Sequence, residues 1–107
     1  MVIKTILELR IINKIQGILE YKKEKYGPES AWIRPSELID ALSDIKQRTI
    51  RSYLDRLKKL DIIVGMPLYH EGGRKDTWGG DFRMTKEGET IIRNELDALP
   101  FSYAVRK

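Results

Sequence analysis

A chain of 107 residues with 41% apolar and 34% charged residues can form one domain with a single hydrophobic core and a strongly solvated surface. The absence of cysteine excludes disulfides, thiolate metal sites and cysteine nucleophiles, and a lone histidine disfavours a histidine-based metal site or catalytic triad. With no visible nucleophile, acid–base pair or phosphate-binding loop, we expect a protein that is not an enzyme and needs no cofactor.

The amino-terminal residues Met1 to Arg10 are interrupted by Lys4 and Glu8, so they have neither the apolar run of a signal peptide nor the length of a membrane span. We therefore expect a cytoplasmic protein. Fourteen isoleucines stand beside two asparagines and two glutamines. This bias is typical of chains that work at high temperature and favours a thermophilic, archaeal source. An AT-rich genome explains it equally well.

The first predicted element is a long helix within residues 1–26, running from Val2 to Lys25 and ending at Gly27-Pro28. Its apolar residues surround most of the helix instead of forming one stripe, which indicates more than one neighbour. We expect one neighbour to be the core of the same chain and the other to be the same helix of a second subunit, with Ile11 or Leu7 in the contact. The alternative is that Val2 to Leu9 forms a separate strand or arm packed on the same core.

Residues 36–60 have the pattern of a helix-turn-helix. Tyr26 to Pro35 is a predicted loop in which Ala31 to Ile33 can form a short strand, and the second helix begins at Pro35-Ser36, with Glu37 near its positive end. Asp44 can cap the next helix. Two short amphipathic helices with a cap in the turn are typical of this motif.

The third helix, Lys46 to Lys59, concentrates the positive charge of the chain. Its net charge is +5, against +4 for the whole protein, so the remainder carries −1. The spacing of Ile50, Tyr53, Leu54 and Leu57 predicts an inward face. The opposite, outward face carries Arg48, Arg51, Ser52 and Asp55. A basic helix face of this kind is typical of nucleic-acid binding, although a merely solvated charged helix is the alternative.

Residues 62–85 predict a β-hairpin with a long, glycine-containing tip from Glu71 to Gly80. Thr85 can cap a last helix over residues 86–97, whose inward residues would be Ile91, Ile92 and Leu96. The acidic residues around His70 are too scattered to indicate a metal site. The predicted fold class is therefore α+β and mostly helical, in one domain spanning residues 1–107.

Three segments in this order resemble a winged helix-turn-helix DNA-binding domain of the MarR-like and related archaeal regulator type. They are Ser36 to Leu42, similar to the second helix of the family, Thr49 to Ile63, similar to its recognition helix and first wing strand, and Phe82 to Gly88, similar to the turn where the wing returns. The resemblance implies a wing at residues 62–85 and a homodimeric regulator of transcription that binds double-stranded DNA.

The major groove of DNA admits one helix, and side chains near the start of that helix can reach the base edges. The residues predicted to lie there are Lys46, Gln47, Arg48, Thr49, Arg51 and Ser52. We expect Arg56 and Lys59 to contact phosphates. Arg74 and Lys75 in the wing would add a secondary contact. The alternative function is a winged-helix protein-interaction module of a transcription or replication assembly.

Overall fold

The computed structural model describes residues 1–65 and 81–99, together with the backbone pairing of residues 68–69 and 75–76. In these parts of the chain the elements follow in this order: α1 Ile6–Tyr26, a 3-10 turn Pro28–Ser30, α2 Pro35–Ala41, α3 Gln47–Lys59, β1 Ile63–Gly65, β2 Leu68–Tyr69, β3 Lys75–Asp76, β4 Phe82–Met84 and α4 Lys86–Ala98. The fold is mostly helical with antiparallel strands, which agrees with the predicted α+β class. Apolar side chains from all four helices join one buried core.

The prediction that the first helix begins at Val2 is wrong. Helix α1 begins at Ile6, because the Thr5 hydroxyl accepts a hydrogen bond from the Glu8 N–H at 3.1 Å and caps the helix. Val2 and Ile3 lie before the helix and are buried. Their backbone N–H groups donate to the Glu95 carboxylate of α4 at 2.7 to 3.0 Å. The residues before Ile6 therefore form an arm, which is shorter than the segment Val2 to Leu9 of the alternative interpretation, because Ile6 to Leu9 belong to α1.

The apolar surface of α1 is largely used by the core of its own chain. Five of its residues are buried, namely Leu9, Ile11, Ile12, Ile15 and Leu19. Ile11, which the sequence placed in a contact between subunits, is completely inaccessible to solvent and belongs to the core. Ile6 and Leu7 are the exposed aliphatic residues of α1. None of the helices in the described residues is long and apolar enough to cross a membrane.

Helix α2 is held to α1 by Glu37. Its carboxylate accepts hydrogen bonds from Lys22 Nζ at 2.7 Å and from the Arg34 N–H at 3.1 Å. The same ammonium of Lys22 donates to the Trp32 carbonyl at 2.7 Å. Burial raises the pKa of Glu37, but the Lys22 and Arg34 hydrogen bonds outweigh burial, and the pKa lies below its usual value. The carboxylate is therefore ionised at neutral pH and links the two helices.

The predicted cap of α3 is wrong. Asp44 binds the guanidinium of Arg10 on α1, at 2.7 and 3.0 Å, and its pKa is lowered by that hydrogen bond. The residue at the cap position is Lys46, which makes no side-chain capping bond. Between α2 and α3 the chain turns at residues 42–46, where the Ile45 N–H donates to the Leu42 carbonyl at 2.9 Å.

The strands form a hairpin with two antiparallel ladders. In one ladder Ile63 is opposite Met84, and in the other Leu68 is opposite Asp76. The predicted short strand at residues 31–33 reduces to one bridge, in which Ile33 and Phe82 exchange backbone hydrogen bonds of 2.8 Å. Because Lys75–Asp76 pairs with β2, the hairpin tip is shorter than the predicted segment from Glu71 to Gly80. Residues 66–67, 70–74 and 77–80 lie outside the described part of the chain.

A close junction connects the end of α3 to the start of α4. The Thr85 N–H donates to the Ile62 carbonyl at 2.9 Å, and the Thr85 hydroxyl donates to the Asp61 carbonyl at 2.7 Å and accepts from the Gly88 N–H at 2.8 Å. The predicted cap at Thr85 is thus confirmed. Asp61 has a φ of 59°, which an aspartate adopts more readily than most residues.

Fewer residues of helix α4 pack in the core than the sequence predicted. Ile92 is fully buried and Leu96 packs against the core, but Ile91 is 40% exposed, so its predicted inward position is wrong. The reason is that α4 covers the core with one side only.

We expect Gly88→Ala to destabilise the fold. A Cβ at this position would lie 2.2 Å from the Ile62 carbonyl oxygen, so the backbone must shift, at a cost of about 1–3 kcal/mol or more. The control is Thr90→Ala on the same helix, an exposed position where we expect a change within about 0.5 kcal/mol. Chemical denaturation of both variants measures the difference. Equal stabilities would contradict the close approach of the two backbones.

Candidate nucleic-acid interface

Helix α3 separates apolar and charged side chains cleanly. Ile50, Tyr53, Leu54 and Leu57 are at most 4% exposed and pack in the core. The predicted inward face is therefore confirmed. This packing leaves the opposite side of the helix in solvent.

We call the exposed side the outer face of α3, and it consists of Arg48, Arg51, Ser52, Asp55 and Lys59. All five residues are exposed. At about 100° per residue they lie within an arc of roughly 100°, and with a rise of 1.5 Å per residue they span about 16 Å along the axis. Lys59 has nearly the same direction as Arg48, three turns further along. The sequence assigned Lys59 to phosphates and Arg48 to bases, and the structure places both on one face.

The start of α3 is unusually positive. Lys46, Gln47, Arg48 and Thr49 are all exposed, and the first turn contains no acidic residue. The N–H groups at a helix start carry partial positive charge and favour an anion, which a capping carboxylate usually supplies. In this helix no side chain supplies the cap, so these N–H groups are open to an external anion.

Gln47 lies beside Arg51, one turn further along the helix. With its amide oxygen toward the guanidinium, Gln47 accepts hydrogen bonds from Arg51 Nε at 3.2 Å and Nη2 at 3.1 Å. This arrangement holds the Arg51 side chain over the first turn. Since the guanidinium has five N–H donors, it keeps free donors for a second partner.

The cations of the outer face differ from those that hold the fold together. Among the described residues the ion pairs use Arg10, Lys22, Lys23, Arg34 and Arg56, and none of them includes Lys46, Arg48, Arg51 or Lys59. The outer face can therefore bind an external anion without first breaking an internal ion pair.

The structure places Arg56 in an internal role. Its guanidinium donates to the Glu8 carboxylate at 2.9 Å and to the Val2 carbonyl, and it lies 5.2 Å from the centre of the Tyr53 ring. Tyr53 also donates to the Val2 carbonyl, and burial raises the pKa of its hydroxyl, which stays protonated. We therefore leave Arg56 out of the candidate interface, because its donors already hold the amino-terminal arm.

The side chains of the two predicted wing residues lie outside the part of the chain that the structure describes. Arg74 lies outside the described residues, and for Lys75 the structure describes only the backbone pairing with Tyr69. Their predicted contact with nucleic acid stays a prediction. Within the part of the chain that the structure describes, no group of three histidine, cysteine, aspartate or glutamate residues could hold a metal ion.

Sequence reasoning did not assign a role to Asp55. Its carboxylate lies near the centre of the outer face, between cations, and it forms no ion pair with a described residue. The helical spacing already put Asp55 on the outward side. The net charge of α3 is dominated by the cations around Asp55 and gives no signal for a single acid.

Comparison of this chain with family models, with curated proteins and with solved structures finds no match. The site therefore has to be interpreted from its own geometry and charge.

We expect Arg56→Ala to lower the free energy of unfolding by about 1–3 kcal/mol, because the change leaves the half-buried Glu8 carboxylate and the Val2 carbonyl without their partner. Lys59→Ala, at an exposed position three residues further on, should change it by less than about 0.5 kcal/mol. Urea denaturation measures both. If the two variants unfolded alike, Arg56 would not be the structural residue that its contacts indicate.

Proposed function

We propose that this protein is a winged helix-turn-helix regulator of transcription that binds double-stranded DNA sequence-specifically in the cytoplasm. The observation that carries the proposal is the outer face of α3, whose exposed cations form no ion pair with a described residue, on a helix whose other side is buried. A helix of about 10–12 Å diameter fits a major groove of about 12 Å width. The α2–turn–α3 order and the hairpin that follows support the same interpretation.

Base reading is assigned to the first half of the outer face. Arg48 and Arg51 can each bind a guanine through two hydrogen bonds. Gln47 can bind adenine in the same way, or it can hold Arg51 in place as it does in the free protein. Ser52 follows Arg51 in the chain and lies about one turn after Arg48 on the same face, and it can bond to either kind of base edge.

Phosphate binding is assigned to the start and the end of α3. Lys46, Thr49 and the uncapped N–H groups can bind one phosphate, and Lys59 can reach another. Arg74 and Lys75 on the hairpin would contact a phosphate or the minor groove as a wing. These contacts set affinity and position and carry no sequence information.

A homodimer is the proposed functional form, because two-fold pairing doubles the recognised DNA sequence. The buried Ile11 cannot take part in this contact. Ile6, at 53% exposure, and Leu7, at 44%, are the apolar residues of α1 that remain available for a second subunit.

We expect binding to short duplexes to weaken steeply with salt, with a slope of log affinity against log salt concentration of about −0.9 for each neutralised phosphate.

Arg48→Ala and Arg51→Ala should each weaken binding to a selected duplex by about 1–3 kcal/mol and relax the base preference. The matched control is Arg93→Ala, an exposed arginine on α4 that should bind like the parent. Fluorescence anisotropy with selected and random duplexes measures all three.

Binding that does not respond to salt would reject the nucleic-acid proposal and favour the protein-interaction module. If the two arginine variants bound the selected duplex as the Arg93 variant does, the outer face of α3 would not be the reading surface.

A substitution of Asp55 also tests the proposal, and its expected effect on DNA affinity has the opposite sign. A carboxylate in this position repels phosphates and can accept a hydrogen bond from the cytosine amino group. We expect Asp55→Asn to strengthen binding to random duplex several-fold at low salt and to reduce the preference for the selected sequence. Glu20→Gln on α1, also an exposed acid, is the control and should change neither. Weaker binding of the Asp55 variant to random duplex would contradict the position of this carboxylate near the phosphates.

A further inference from the structure

An open groove lies on the side of the molecule formed by α1, α2 and the end of α4. Its volume is about 980 Å³, at the upper end of the range of about 300–1,000 Å³ for ligand pockets. Along α1 it extends from Leu9 to Lys22, which corresponds to about 20 Å of helix. Leu42, directly after α2, and Leu96 and Leu99 at the end of α4 contribute apolar surface to it. The groove has the shape of a site for an extended segment of chain.

Gly17 lies in the wall of this groove, near the middle of the 21-residue helix α1. Glycine inside a helix costs about 1 kcal/mol relative to alanine. A Cβ at this position would meet no described atom within 4 Å, so packing among the described residues does not require a glycine. A glycine on a helix surface permits another backbone to approach closely. The position therefore leaves room for a backbone from outside the described residues to lie against α1.

The chain itself reaches the groove at Leu99. This residue ends α4 with an extended backbone, φ −68° and ψ 151°, and it lines both the groove and a small adjoining cavity beside Ile3 and Leu9. Residues 100–107 follow it and lie outside the described residues. At about 3.3 Å per residue, eight residues can span about 26 Å, which is sufficient for the length of the groove.

The sequence of that segment matches the groove. Pro100 cannot continue a helix, and Phe101, Tyr103 and Val105 alternate with small or polar residues, so an extended chain would turn them to the same side. Arg106 and Lys107 end the segment. Two exposed acids lie on the same side of α1 as Gly17 by helical spacing, Glu20 level with the far end of the groove and Glu24 just beyond it, and neither forms an ion pair with a described residue.

We propose that residues 100–107 bind in this groove as an extended segment, with the backbone passing over α1 at Gly17, the apolar side chains turned inward, and Arg106 and Lys107 beside Glu20 and Glu24. The direct connection at Leu99 gives the segment an effective concentration in the millimolar range, which a second copy of the chain does not reach in dilute solution. The bound segment would tie the end of α4 to α1 and α2.

The absence of cysteine from the 107-residue chain allows a disulfide test in the whole chain. Residue 105 would lie about 20 Å from Leu99, level with Tyr21. The test variant combines Tyr21→Cys with Val105→Cys, and the control combines Tyr26→Cys with Val105→Cys. Tyr21 and Tyr26 are 58% and 56% exposed, and the centres of their rings lie 5.5 and 5.4 Å from Lys25 Nζ, which also donates to the Tyr21 hydroxyl at 3.2 Å, so each replacement removes a contact with Lys25. Helical spacing puts the two tyrosines about 140° apart around α1.

Both proteins are oxidised with glutathione disulfide at low micromolar concentration, and disulfide formation is followed by mass spectrometry and non-reducing electrophoresis. We expect an intramolecular disulfide in the Tyr21 variant at least about tenfold faster than in the Tyr26 variant, because docking raises the effective concentration of the two thiols. Equal rates in the two variants would overturn the proposal. A disulfide between two chains in the Tyr21 variant would overturn it as well and assign the groove to a second copy.

A third variant tests the role of Gly17. Gly17→Leu, added to the Tyr21 and Val105 cysteine pair, places a side chain in the path of the segment, while leucine is a good helix former and meets no described atom at its Cβ. We expect its rate to fall to that of the Tyr26 control, with unchanged helical content by circular dichroism. A rate that stays at the value of the unblocked pair would show that the segment does not cross α1 at Gly17 and would overturn the proposed binding mode.

Discussion

The contact between Gly88 and the Ile62 carbonyl is the constraint on which the arrangement of the other elements depends. Because residue 88 has no side chain, the first turn of α4 can lie against the backbone where the chain leaves α3, and Thr85 closes the junction with bonds to Asp61 and Ile62. Strands β1 and β4 begin and end at the same place. The direction of α3 relative to the hairpin and to α4 is therefore set at one point, and with it the side of α3 that stays in solvent.

The basic residues of this molecule differ in their partners according to how deeply they are buried. Lys22 and Arg56 are partly buried, and each has a carboxylate and a backbone carbonyl as partners. A cation taken out of water requires such partners, since losing hydration is costly. Arg48 and Lys59 are exposed and keep their hydration, so they do not need an internal partner. Two basic residues three positions apart on one helix, Arg56 and Lys59, thus differ in role because one lies against the amino-terminal arm.

The two candidate surfaces use different parts of the fold. The outer face of α3 is short, charged and built on one rigid helix, whereas the groove joins three helices and mixes apolar and charged side chains. The end of α2 links them, because Ala41 and Leu42 line the groove and the chain enters α3 a few residues later. The sequence predicted the face but not the groove. A face follows from the spacing within one helix, while a groove requires knowing how helices far apart in sequence lie against each other.

The sequence by itself determined the inward and outward sides of α3, the cap at Thr85 and the order of helices and strands, since these depend on spacing and on hydrogen bonds between near neighbours. It could not determine that Val2 and Ile3 form an arm, because the carboxylate that receives their N–H groups belongs to Glu95, more than 90 residues away. The burial of Ile11 and the ion pair of Asp44 likewise depend on contacts between parts of the chain that are distant in sequence. Tertiary packing decides such cases because the partner of each side chain is a residue distant in sequence that folding brings close to it. The local sequence pattern contains no information about that residue.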